Sequence, residues 1–237
     1  MGCLDGRVIA VAGIGGGLGP VVAERLAAAG ATVCGCDREQ GSSDEVGAAL
    51  DLPEERWDGR AVDLLDEDAT RAWSAALVGR FGRVDALLHL VGGWRGGQPL
   101  HEAPLADWEL LHDLLVRTVQ HTTRVFHDTL LASERGRFVL VSAKQAQAPS
   151  NDNAAYGAAK AAAEAWTLAL ADGFAGAGAT ANIVVVDAIL TPRMRAENPD
   201  KEFLTFTPAE HLAEAIVFLC SDAAAEMNGQ RLRLTMG

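Results

Sequence analysis

Tyr156 and Lys160 stand four residues apart in NAAYGAAK, at the start of a stretch of helical composition, so a phenol and an ammonium share one helix face. A free phenol titrates near ~10 and is a poor acid or base at neutral pH, whereas an adjacent ammonium favours the phenolate. The pair therefore suits transfer of a single proton to or from a substrate atom. A second group of residues suits a different task. In AGIGGGLGP, directly after RVIAVA, Gly13, Gly17 and Gly19 fall in a G-x-x-x-G-x-G pattern ahead of Pro20. Such glycines let backbone approach a pyrophosphate, the helix that follows offers free N–H groups, and proline suits its first turn. Asp37, about 20 residues further on at the end of the next apolar run, is placed to accept hydrogen bonds from both ribose hydroxyls of an adenosine. A 2′-phosphate there would meet like charge, so NAD is expected, with NADH preferred over NADPH. Arg38 could stack on adenine, or pair with a 2′-phosphate if Asp37 turned away. Asp63 could reach the adenine amine or cap its own strand end.

These residues need a scaffold, and the apolar runs supply one. Strand character recurs at 7–12, 31–37, 59–64, 84–91, 136–142 and 181–188, with a shorter run at 231–234. The runs are continuous rather than alternating, as in strands buried on both faces of a parallel sheet. Helical stretches lie between them at 18–30, 67–81, 107–133, 153–178 and 208–221. The alternation predicts an α/β fold: one Rossmann-type, doubly wound parallel sheet of about seven strands with helices on both faces. No linker-like run divides the 237 residues, so one domain is expected over 1–237, its nucleotide-binding part at about 1–135 and its catalytic and substrate part at about 136–237.

Composition narrows the partners. A net charge of −12 argues against nucleic acid and anionic membranes, both of which demand a basic face. No apolar run approaches the ~20 residues of a membrane span, and the N-terminus leads into a glycine turn rather than a cleavage site, so a cytoplasmic location is expected. Cys3, Cys34, Cys36 and Cys220 are scattered without ligand spacing, which favours buried free thiols over a metal centre. The helical stretches 107–133 and 153–178 carry apolar or small residues around much of their circumference, including Leu110, Leu111, Leu114, Leu115 and a run of alanines from Ala158 to Ala165. Their faces predict a homodimer or homotetramer packed through these two helices.

Taken in order, the glycine turn, Asp37, Asp63 and Tyr156-Gly-Ala-Ala-Lys160 resemble the short-chain dehydrogenase/reductase family over essentially the whole chain. The resemblance implies Tyr156 and Lys160 as catalytic residues, Lys160 also binding the nicotinamide ribose. It implies a cofactor site of Gly13, Gly17, Leu18, Gly19, Asp37, Arg38, Asp63, Leu64, Val91, Gly92, Gly93, Tyr156, Lys160, Ile189 and Thr191. Two departures stand out. The family's serine falls on Ala143 and its helix asparagine on Leu115. VGGWRGG, SAKQA, LTPRMR and FTPAEHL together resemble the dihydropteridine reductase branch, which reduces quinonoid dihydropterins with NADH.

That resemblance implies a small-molecule substrate already activated toward hydride, for which one positioned acid suffices. Trp94, Ala143, Lys144, Gln145 and Arg193 are the candidate substrate residues. Trp94 is either a packed loop aromatic or a flat wall for a ring. Lys144 or Gln145 could replace the absent serine as a donor, although Lys144 is expected in solvent. His89 is expected to be a hydrogen-bonded core residue rather than a base. Two other functions remain open: a carbonyl reductase or alcohol dehydrogenase using Lys144 or Gln145, and a non-catalytic NAD(H) sensor, which would have no need of a proton donor.

Overall fold

The computed structural model describes residues 2–235. In chain order the elements are β1 (Val8–Ala12), α1 (Gly19–Ala28), β2 (Thr32–Asp37), α2 (Gln40–Leu50), β3 (Trp57–Ala61), α3 (Glu67–Phe81), β4 (Ala86–His89), α4 (Leu105–His112), α5 (Thr118–Ala132), β5 (Arg137–Ala143), α6 (Ala154–Phe174), β6 (Thr180–Val186), β7 (Ala188–Leu190), α7 (Pro192–Glu197), β8 (Phe206–Pro208), α8 (Ala209–Cys220) and β9 (Arg231–Arg233). Seven strands form one parallel sheet in the order β3-β2-β1-β4-β5-β6-β9, and β7 pairs with β8 in a second, two-stranded sheet.

Alternate residues along the central strands feed two different cores, because successive side chains leave opposite faces of a pleated strand. Ile9, Val11, Val139, Val141 and Val184 pack with residues of α1 and α8 on one face. Val8, Ala10, Ala12, Phe138, Leu140 and Ile183 pack with Trp73 and Leu77 of α3, Phe126 and Leu130 of α5 and Phe174 of α6 on the other. This double burial is why the strands read as continuous apolar runs.

Two stretches differ from the sequence expectation. The third strand is Trp57–Ala61, starting and ending earlier than 59–64, because its register is set by pairing with β2 (Val33 opposite Trp57) and by Asp58, whose carboxylate is held by Arg60 and Arg80. The stretch 107–133 is two α-helices joined by a π-helical turn at Asp113–Arg117. Elements α2, α7, β7 and β8 carry too little apolar periodicity to be seen beforehand. Among the described residues no helix is long and apolar enough to cross a membrane. Cys34, Cys36 and Cys220 are buried, whereas Cys3 is exposed, contrary to the expectation that all four thiols are internal.

Candidate active site

Two adjoining hollows of about 540 and 610 Å³ open at the C-terminal ends of the strands, sharing Gly16, Leu90, Val91 and Gly92. The first is lined by the glycine turn, Asp37, Arg38, Asp63 and Leu64. Ligands of open parallel sheets gather at this edge because the strand order reverses there and the connecting loops splay apart.

The glycine turn is shaped by close backbone contact. Gly13 has φ +85°, and a Cβ on it would stand 2.9 Å from the Val91 nitrogen. A Cβ on Gly19 would stand 2.0 Å from the Ile14 carbonyl oxygen, so only glycine lets α1 begin here. No side chain caps the first turn of α1, so an anionic ligand would meet the N–H groups of that turn other than Gly19, which donates to the Gly16 carbonyl oxygen at 3.1 Å, and Pro20, which has none. The Asp37 carboxylate sits beside this turn, accepting from the Gly15 N–H at 3.1 Å and the Arg38 N–H at 2.8 Å. Asp63 also faces the hollow, and its carboxylate accepts from the Leu65 N–H at 2.9 Å, so the capping role anticipated for it is present. A glycine cradle, an uncapped helix start and a carboxylate at the second strand end fit a dinucleotide. Gly13, Gly17, Asp37, Arg38, Asp63 and Lys160 are the residues that would hold it.

The second hollow gathers Gly17, Leu18, Gly93, Trp94, Ala143, Gln145, Tyr156, Lys160, Ile189 and Thr191. Lys160 lies on α6, is buried, and donates from Nζ to the Val141 carbonyl oxygen at 3.0 Å. Burial lowers its pKa to about 8 against the opposing pull of Glu164. Its Nζ lies 6.0 Å from the Tyr156 ring centroid. The phenol does not follow the expected direction: burial pushes Tyr156 up to about 12. At neutral pH the phenol therefore keeps its proton.

The departures from the usual tetrad have a structural counterpart. Ala143 ends β5 on the wall of the hollow, while the adjacent Ser142 hydroxyl is committed to Glu164 Oε1 at 2.7 Å. Leu115 lies in the π-helical turn and is buried with Leu111, Val116 and Ala159, and Tyr156 packs against that cluster. An apolar contact thus occupies the position where a relay asparagine was expected. Of the two possible serine substitutes, Lys144 is turned to Asp187 at 3.5 Å and lines neither hollow. Gln145 lines the second hollow, and its buried Oε1 has no hydrogen-bond partner.

Trp94 is exposed over about half its surface, lines the hollow, and donates from Nε1 to Asn153 Oδ1 at 2.9 Å, which makes it a wall rather than a packed loop residue. Thr191 lines the hollow too, although its hydroxyl accepts from the Met194 N–H at 3.2 Å as the cap of α7. Arg193 does not reach the site. Its guanidinium pairs with Glu197 at 2.6 Å, since position 193 falls on the outer side of α7. His89 is buried between Thr118 and Thr122 at 3.1 and 3.2 Å, and burial drops its pKa to about 3, as suits a neutral core residue. Gly15, Gly16, Ser42, Asn153, Asp187 and Phe206 also line the two hollows and escaped the sequence reading. Only Gly15 and Gly16 carried a signal, inside the glycine run.

Comparison with known proteins agrees with this geometry. A family model described as enoyl-(acyl carrier protein) reductase matches residues 13–237. The chain belongs to the short-chain dehydrogenase/reductase family and is an NAD(P)-dependent oxidoreductase of that family. It is 32% identical over 251 residues to 2,3-dihydroxy-2,3-dihydro-p-cumate dehydrogenase of Pseudomonas putida, covering 99% of this chain and 95% of that protein. Among solved structures it resembles sorbitol-6-phosphate 2-dehydrogenase of Erwinia amylovora, with TM-score 0.87 and 25% identity over 97% of this chain and 98% of the other. It also shares the fold of a short-chain oxidoreductase of Pseudomonas aeruginosa described as containing an atypical catalytic centre, with TM-score 0.90 and 23% identity over 99% and 97% of the two chains.

Proposed function

We propose that the protein is an NADH-preferring reductase acting on a flat, conjugated C=N or quinonoid acceptor of the dihydropterin kind, with Tyr156 as its proton donor and Lys160 supporting it. The observation that carries this reading is that Tyr156 and Lys160 line the hollow while Ala143 and Leu115 stand at the two positions where a second polar group would assist an ordinary carbonyl. An acceptor that is already electron-poor needs one proton and little polarisation. Trp94 offers a broad aromatic wall for a ring. The bound nicotinamide would supply the hydride. The chain's own part is to seat the pyrophosphate on the glycine turn, accept the ribose hydroxyls at Asp37, and hold the Tyr156 proton at Oη until the substrate takes it.

Gln145 favours a second reading. A carboxamide offers both a donor and an acceptor, and Gln145, whose buried Oε1 has no hydrogen-bond partner, lines the hollow that would hold a substrate hydroxyl or carbonyl. The protein would then interconvert a secondary alcohol and a ketone. Two of the relatives named above, the dihydrodiol and the sorbitol-6-phosphate dehydrogenases, carry hydroxyl-bearing substrates in their names, which supports this alternative. Assaying NADH oxidation with a quinonoid dihydropterin against a panel of ketones separates the two: turnover of the ketones alone would replace the first reading by the second.

The same reading makes the protein a cytoplasmic homo-oligomer. Supporting this, Leu105, Trp108 and Leu110 of α4 are exposed, and Ala158, Ala165 and Ala169 leave a smooth outer strip on α6. Small and apolar residues on one surface favour close helix packing between copies. Leu111 and Leu115, counted from the sequence toward that face, are instead buried inside the subunit with Val116 and Ala159.

A further inference from the structure

Beyond the two hollows of the active site, a third of about 710 Å³ lies against the β7-β8 sheet. Arg195 of α7, Lys201 in the segment that follows, His211 of α8 and Arg233 of β9 line it, and no carboxylate side chain among the described residues does. In a chain of net charge −12 this is a local reversal of sign. Arg193, two residues before Arg195, is neutralised by Glu197, whereas none of the four lining groups is paired with an acidic side chain among the described residues. Arg233 donates to Gln147 Oε1 instead. The floor is apolar and aromatic: Phe203 stacks edge-to-face on Phe206 with centroids 5.2 Å apart, and Lys201 Nζ lies 5.2 Å from the Phe203 ring centroid.

Convergent cations repel one another unless an anion joins them, and guanidinium groups present paired N–H donors matched to carboxylate or phosphate. Position gives the anion a source. Phe206 lines both this hollow and the active-site hollow, and Leu190, which lines the cationic one, is flanked by Ile189 and Thr191, which line the other. We propose that the cationic hollow binds a carboxylate or phosphate carried on the substrate, whose reacting end lies beside Tyr156 while its chain passes Phe206. This assignment rests on the active-site reading above for where the reacting end lies, and adds to it that the substrate is anionic.

The test uses the NADH-saturated protein, so that the dinucleotide site is filled. Calorimetric titration with inorganic phosphate at low salt should show saturable binding that weakens roughly five- to tenfold in each of Arg195→Gln and Lys201→Gln and fades as salt rises, while Arg195→Lys retains most of it. Absence of binding, or binding indifferent to these changes, overturns the anion site. A matched pair of acceptors, one bearing a terminal carboxylate and one its neutral amide, then tests the source. The wild type should favour the acid in kcat/KM, and the double variant Arg195→Gln, Lys201→Gln should lose most of that preference. Phosphate binding without any preference would overturn the substrate assignment and leave a site for a free anion. Failure of both acceptors to react would count against the active-site reading, while the phosphate titration still decides the anion site.

Discussion

Gly157 faces Gln145 so closely that a Cβ on it would stand 2.8 Å from the Gln145 carbonyl oxygen. Glycine in the Tyr156-Gly-Ala-Ala-Lys160 run is thus what allows α6 to seat against the 3₁₀ turn Lys144–Ala146, so that Gln145 and Tyr156 line one hollow. Gly157→Ala must push that turn outward. It should cost about 1–3 kcal/mol of stability, the usual range for overpacking, and lower kcat/KM while leaving the NADH dissociation constant unchanged. Thermal melting together with cofactor titration checks both parts, and weakened NADH binding would show that the disturbance is not confined to the turn.

Tyr156→Phe removes the proposed proton donor and retains the ring that packs on Leu111 and Leu115. Turnover should fall by roughly 10² to 10⁴ with little change in melting temperature. Turnover preserved with the activated acceptor would transfer the proton-donating role to another group.

Ala143→Ser restores the hydroxyl that the family resemblance leads one to expect at the end of β5. For a quinonoid acceptor it should change kcat by less than about threefold, because one donor suffices. For an ordinary ketone it should raise kcat, and Gln145→Ala should then cost about 3 kcal/mol of transition-state stabilisation, the worth of one oxyanion donor. Steady-state kinetics on both substrates decides between them.

Asp37→Ser should relax the preference for NADH, since the carboxylate beside the glycine turn disfavours a 2′-phosphate. Fluorescence titration should show NADPH binding gaining at least about tenfold relative to NADH. Equal dissociation constants for the two cofactors in the unmodified protein would shift the weight to Arg38.

Lys160 makes stability depend on pH in a definable window. In the unfolded chain a lysine holds its proton to about 10.5, whereas burial lowers the folded value to about 8. Between those values the unfolded state binds more protons, so stability rises with pH. The cofactor-free wild type should gain at most about 3 kcal/mol relative to Lys160→Met between pH 8 and 10.5, since each pH unit across that window contributes up to ~1.4 kcal/mol. Denaturant titrations at both ends of the window measure it, and a flat difference would mean that Lys160 stays solvated.

The class of fold and the nucleotide half of the site were legible in the amino-acid sequence because both are written in local pattern. Strands buried on two faces must be continuously apolar, a backbone that approaches another backbone must be glycine, and a carboxylate that ends a strand is found by counting. What lay beyond reach depends on pairings distant in sequence. Gln40–Leu50 has little helical signal, yet Gly47 lets it lie on Trp57 of the neighbouring strand, where any Cβ would stand 2.5 Å from the indole nitrogen. The choice between Lys144 and Gln145 was open in one dimension, and only the fold shows that Lys144 pairs with Asp187 at the edge of the hollow while Gln145 lines it. The acidity of Tyr156 followed the same logic. Sequence places an ammonium one turn away, with its nitrogen 6.0 Å from the ring centroid in the fold, but only the folded chain sets how much water the phenol loses, and that burial raises its pKa.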